Sequence, residues 1–191
     1  MDMGSIVVCG GGVIGLSAAA MLARFVAGGV PVATGFAAVG DAWACTDPSG
    51  GRGVSVGIIH AQLLLRRTVR SHLGDPAGLA RAWDEGTEEH VAPFHRNQVG
   101  ADRLRLAEMT ALREGRPWAP PDEPMTRLVN AAAYDPGAFR GLLATVMCLA
   151  LPQQVLARAD IRDTLERIGD KVPPPFPGPD RQRLLRLLAA R

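Results

Sequence analysis

The stretch Val39-Gly40-Asp41-Ala42-Trp43 constrains the fold of this chain more than any other. The apolar, Val- and Ala-rich run from Val30 to Val39 leads into it and reads as a buried strand. Gly40 permits a turn that a side chain would block, and Asp41 carries a carboxylate off the strand end into a loop. Gly50, Gly51 and Gly53 leave room for close backbone approach to a ligand. The run Val54 to Val69 then reads as a helix, with Val56, Ile59, Leu63 and Leu64 roughly on one side. A helix start holds N–H groups that favour negative charge on a ligand. The stretch therefore describes a polar ligand held between a carboxylate and a helix start.

A second glycine turn precedes it. Ser5 to Cys9 is a short apolar run suited to a strand buried on both faces. Gly10-Gly11-Gly12-Val13-Ile14-Gly15 follows and satisfies G-x-G-x-x-G, and Leu16 to Arg24 continues as an Ala-rich helix. Strand, glycine turn and helix in that order are what a pyrophosphate site requires: a tight turn, close backbone approach and close helix–strand packing.

The spacing G-D-A-x-x-x-x-x-P-x-x-G-x-G, running from Gly40 to Gly53, resembles the second flavin-binding motif of FAD-dependent aromatic hydroxylases, the class A flavin monooxygenases. The resemblance covers residues 5 to 24 and about 30 to 73 well, and the remainder loosely. It implies that Asp41 binds the ribitol of FAD, and that the loop and helix start around Pro48, Gly51, Gly53 and Val54 face the flavin ring. Gly10, Gly11, Gly12, Val13, Ile14 and Gly15 would hold the pyrophosphate. It also implies NAD(P)H as reductant and oxygen transfer to a small organic substrate. Family members often carry a histidine two positions beyond the alanine matched by Ala42; here that position is Ala44. No catalytic side chain is assigned, because the segment that builds the substrate pocket in the family has no counterpart.

That gap follows from the acidic residues. A dinucleotide fold places Asp or Glu at the end of its second strand, about 20 residues beyond the glycines. No acidic residue occurs between Asp2 and Asp41. The chain reads as the two ends of such an enzyme joined near residues 24–30. The expected fold is α/β: a truncated Rossmann-like FAD-binding fold with a small parallel sheet over residues 1–74, and a mainly helical region over 75–191. The join is awkward, since crossover connections between parallel strands are right-handed in about 98% of cases. It frees one edge of the first strand for self-association. An internally deleted, non-catalytic flavoprotein remnant, or a helical interaction module, is the alternative. A small NAD-dependent dehydrogenase fits less well: it lacks the acidic ribose residue and a Tyr-x-x-x-Lys pair, Tyr134 being the only tyrosine.

Composition narrows the partners. A net charge of +2 and 5% aromatic residues give neither an electrostatic footprint nor stacking platforms for nucleic acid. The longest apolar runs, such as Leu142 to Leu151, are too short to span a bilayer. Cys9, Cys45 and Cys148 share no metal-ligand spacing and fit a reducing cytoplasm. Met1 to Gly4 lacks the basic start of a signal peptide. Glu88, Glu89, His90 and His95 read as a solvated face rather than a metal site, with Pro93 interrupting the two histidines. His60 reads as a structural helix residue, and Arg66, Arg67 and Arg70 as a solvated or paired cluster.

From Asp75 onward helix signals dominate. Asp75-Pro76 and Asp135-Pro136 each give a cap followed by proline at the first helical position. The first helix runs to Val91 with Leu79 and Trp83 on one face. The next runs to about Arg113 with Leu104, Leu106, Met109 and Leu112 inward. Residues 116–124 form an extended linker. Phe139, Leu142, Leu143, Val146, Met147, Ala150 and Leu151 recur at helical spacing. Ile161 to Ile168 is a short helix, residues 172–179 a proline-rich arm, and Asp180 caps a final helix.

Overall fold

A computed structural model describes residues 26–45, 51–174, 178–179 and 181–189. Strand β1 (Val26–Ala27) pairs antiparallel with β2 (Val30–Pro31), Val26 opposite Pro31. Gly28 and Gly29 connect them with φ of 58° and 78°. Two consecutive left-handed residues are what a tight two-residue hairpin turn demands, and glycine adopts them without a Cβ clash.

Among the described residues, everything regular beyond the hairpin is helical. A short 3-10 turn (Gly40–Ala42) precedes α1 (Gly53–Leu63), which runs on as a π-helical segment (Leu64–Val69). Then come α2 (Pro76–His90), α3 (Ala92–Arg113), α4 (Pro124–Ala132), α5 (Pro136–Val146), α6 (Pro152–Leu156), α7 (Ala159–Ile168) and α8 (Arg181–Ala189). The expected α/β fold with a small parallel sheet is thus corrected. The described residues form helices and one two-stranded antiparallel hairpin. The physical reason lies in the run taken for a buried strand. Pro31 removes a ladder donor, Gly35 turns the chain at φ 80°, and Val30, Val32 and Phe36 are exposed. Ser5–Cys9, the other expected strand, lies outside the described residues.

The cap-plus-proline starts form as expected. The Asp75 carboxylate accepts the Gly78 N–H at 2.8 Å, and the Asp135 carboxylate accepts the Ala138 N–H at 2.8 Å. Two sets of apolar contacts organise the helices. One gathers Val56 and Leu63 of α1, Trp83 of α2, Val91 and Phe94 around the α2–α3 junction, and Cys148. The other joins α4, α5, α6 and α7 through Leu128, Ala131, Ala138, Val155, Ile161, Leu165 and Ile168. Gly141 lets α5 approach closely, since a Cβ there would stand 3.1 Å from both Ile161 and Val155.

Two expected faces turn out differently. Leu106, Met109 and Leu112 of α3 are exposed, and α3 buries Ala92, Phe94, Gln98 and Ala111 instead. Helix α5 stops at Val146 and buries Ala138, Gly141 and Thr145, leaving Phe139, Leu143 and Met147 exposed. Cys148 ends that turn with φ 57°, a left-handed conformation uncommon for a residue with a side chain.

Candidate functional site

The glycine turn and α1 form one packed unit. Val39 is extended (φ −125°, ψ 135°), and Gly40 enters the turn at φ 59°. The Gly40 carbonyl accepts the Trp43 N–H at 2.9 Å and the Ala44 N–H at 3.1 Å. A Cβ on Gly40 would lie 3.3 Å from the Cα of Gly57 on α1. Glycine is therefore required twice here, for its conformation and for its contact. Gly40→Ala is expected to lower stability by about 1–3 kcal/mol, measured by urea denaturation; a loss under about 0.5 kcal/mol contradicts that packing.

His60 locks the turn to the helices. It is 0% exposed. Its Nδ1 accepts the Gly40 N–H at 3.1 Å, and its Nε2 lies 2.8 Å from the Thr87 hydroxyl on α2. Because Nδ1 accepts, the ring proton resides on Nε2 and is donated to Thr87 Oγ1. The imidazole stacks on Trp83 at 4.3 Å and 14°, and Trp43 meets it edge-on at 5.5 Å. Burial pushes the His60 pKa down to about 4, so the ring is neutral at pH 7. With both nitrogens engaged and no exposure, His60 is a structural pin.

The turn presents Asp41 on the surface, in the first turn of the 3-10 segment. Gly51 leads into α1 at φ 64°. Arg52 is the N-cap residue of α1, but its side chain makes no capping hydrogen bond. The first-turn N–H groups at Gly53, Val54 and Ser55 have no acceptor within the helix, and Val54 is exposed. The structure thus brings Asp41 and the helix start at Gly53 and Val54 into one unit, through the packing of the 3-10 turn on α1. Gly10, Gly11, Gly12, Val13, Ile14, Gly15 and Pro48 lie outside the described residues.

Sequence reasoning passed over Arg52. It is 9% exposed, and its Nε and Nη1 are buried with no hydrogen-bond partner. Its proximity to Cys148 is electrostatic: burial pushes the Cys148 thiol up, and the Arg52 charge opposes that rise. The only sequence signal was an arginine between two glycines at a helix start.

The other titratable candidates have local partners. His90 Nε2 accepts from Arg67 at 2.9 Å, Arg96 donates to Glu88 at 2.8 Å, and His95 meets Trp43 edge-on at 5.5 Å. Among the described residues, no group of three His, Cys, Asp or Glu side chains converges on a metal-sized site, and no helix is long and apolar enough to cross a membrane. A surface groove of about 480 Å³ lies between the hairpin and α2, with Arg81, Asp84 and Glu85 in its wall; neither Asp41 nor Arg52 lines it.

Comparison with protein-family models, curated proteins and solved structures finds no match to this chain.

Proposed function

We propose that the chain binds FAD through the half-site formed by Asp41 and the start of α1, and that it is an oxidoreductase of the flavin monooxygenase type. The observation that carries this reading is the locked glycine turn. Gly40, pinned by His60 and seated on Gly57, offers Asp41 at the surface on the same unit as the uncapped first turn of α1. The residues suit the group. A carboxylate pairs with ribityl hydroxyls, and helix N–H groups stabilise negative charge on the pyrimidine edge of a reduced flavin. Arg52, the N-cap residue of α1, brings a buried, unpaired cation to the same unit.

When bound, FAD supplies the redox chemistry, and the protein contributes binding, orientation and electrostatics. Asp41 would hold the ribitol, and Gly51, Gly53 and Val54 would face the ring. NAD(P)H is the reductant class and a small organic molecule the substrate class. A reducing cytoplasmic setting is the compartment we propose, since the three cysteines are odd in number and share no metal-ligand spacing.

A second reading, a helical interaction module without turnover, is favoured by α8. Its Leu184, Leu185, Leu187 and Leu188 are all exposed. Purification with excess FAD, followed by absorbance and NADPH-oxidation measurements, separates the two. Bound flavin with NADPH oxidation is the expected result. Bound flavin without turnover supports a binding remnant, and protein that takes up no flavin overturns the cofactor assignment.

A further inference from the structure

The most anomalous group in the described structure is the Arg52 guanidinium. Buried arginines are normally paired, because an uncompensated charge out of water is strongly unfavourable. Here two of the three guanidinium nitrogens are buried without a partner. The nearby Cys148 does not supply the counter-charge: burial holds its thiol in the neutral form. The same residue occupies the N-cap position of α1, whose first-turn N–H groups add the positive end of the helix dipole, and no acidic residue stands in that first turn. Gly51, at φ 64°, brings bare backbone alongside. Gly51, Arg52 and the start of α1 are consecutive in the chain, so an unpaired cation and the positive end of a helix dipole belong to one short segment.

We infer that Arg52 and the amino end of α1 form a binding site for a small oxyanion, a phosphate or carboxylate group. Planar guanidinium donors and convergent N–H groups match delocalised anionic oxygens in both geometry and charge. The oxyanion has two sources: a group belonging to FAD itself, or a separate phosphate- or carboxylate-bearing ligand bound beside it. The inference stands on Arg52 and does not require flavin.

Thermal melts at fixed ionic strength test it, with inorganic phosphate or acetate exchanged for chloride. The wild-type Tm is expected to rise saturably, by about 5–10 °C at a hundredfold excess over Kd. Arg52→Gln is expected to lose that rise and, in buffer without oxyanion, to melt no lower than wild type, since it removes an unpaired buried charge. An equal rise in Arg52→Gln overturns the inference. So does an Arg52→Gln protein that melts well below wild type without oxyanion, which would show that the chain itself supplies the partner. Should the variant not fold, the wild-type Arg52 Nε–H resonance answers the same question. A saturable shift on adding phosphate or acetate supports the site; no shift at saturating oxyanion overturns it.

FAD as competitor identifies the source. If FAD displaces phosphate, the oxyanion belongs to the cofactor; if both bind together, it belongs to a second ligand. Phosphate binding without FAD binding supports this site and defeats the flavin assignment alone. FAD binding that depends on Asp41, with no oxyanion response at Arg52, defeats this inference alone.

Discussion

His60→Ala is expected to cost about 3–5 kcal/mol of stability, a loss of the size seen when a buried aromatic is truncated. Three separate interactions disappear at once. The Gly40 N–H loses its acceptor, the Thr87 hydroxyl loses its 2.8 Å partner, and Trp83 loses the ring stacked on it at 4.3 Å. The first two leave buried polar groups unpaired, each at about 1–3 kcal/mol. Urea denaturation followed by tryptophan fluorescence reads the change directly, since Trp43 and Trp83 both touch the ring. A loss below about 1 kcal/mol would show that the turn is held by something else.

The same residue sets a pH dependence. The His60 pKa falls from 6.5 to about 4 on folding, so between these values the unfolded chain binds more protons than the folded one. Stability is therefore complete above about pH 6.5 and declines as the pH drops towards 4. The full decline from this residue is about 3 kcal/mol. His95, lowered by its own burial and by Arg96, acts in the same direction. In His60→Gln, which keeps an acceptor and a donor but does not titrate, the acid limb of the stability profile should flatten. An unchanged acid limb contradicts the neutral, buried imidazole.

Ile161→Ala is expected to cost about 3–4 kcal/mol through the cavity it leaves. Ile161 is 1% exposed and sits among Leu128, Ala131, Ala138, Val155, Leu165 and Ile168. Neighbouring atoms have little freedom to fill the gap, because Gly141 already sets α5 against Ile161 and Val155 at the closest spacing. Guanidinium denaturation monitored by helical circular dichroism measures it. A cost below about 1.5 kcal/mol would mean that α4, α5 and α7 relax into the space.

What the sequence revealed divides along the range of the forces involved. The starts of α2 and α5 were legible because Asp75-Pro76 and Asp135-Pro136 complete their caps within three residues. The run through Val54 to Val69 was legible as a helix from the spacing of Val56, Ile59, Leu63 and Leu64, although its π-helical end was not. The stretch from Val30 to Val39 misled, because its apolar composition outweighed the breaks at Pro31 and Gly35. Val30, Val32 and Phe36 are exposed, only its end at Ala37 and Val39 packs against the core, and no parallel partner strand forms among the described residues. Helix α4 was missed because Pro124 resembles the end of the linker before it rather than the first residue of a helix.

The candidate site shows the same division. Asp41, Gly51 and Gly53 announce themselves by residue type and spacing. Arg52 and His60 matter through burial, a tertiary property that composition does not carry. His60 finds Gly40 20 positions away and Thr87 27 positions away, and neither distance is a local signal.

The central claim is that Asp41 and the start of α1 form a flavin half-site. A flavin-fluorescence titration of wild type, Asp41→Asn and Asp41→Ala with FAD tests it most directly. Saturable quenching by the wild-type protein is predicted, with affinity at least about tenfold weaker in both variants, the loss of roughly one hydrogen bond to a charged group. Affinity unchanged by either substitution, or no quenching by the wild-type protein at all, would contradict the claim.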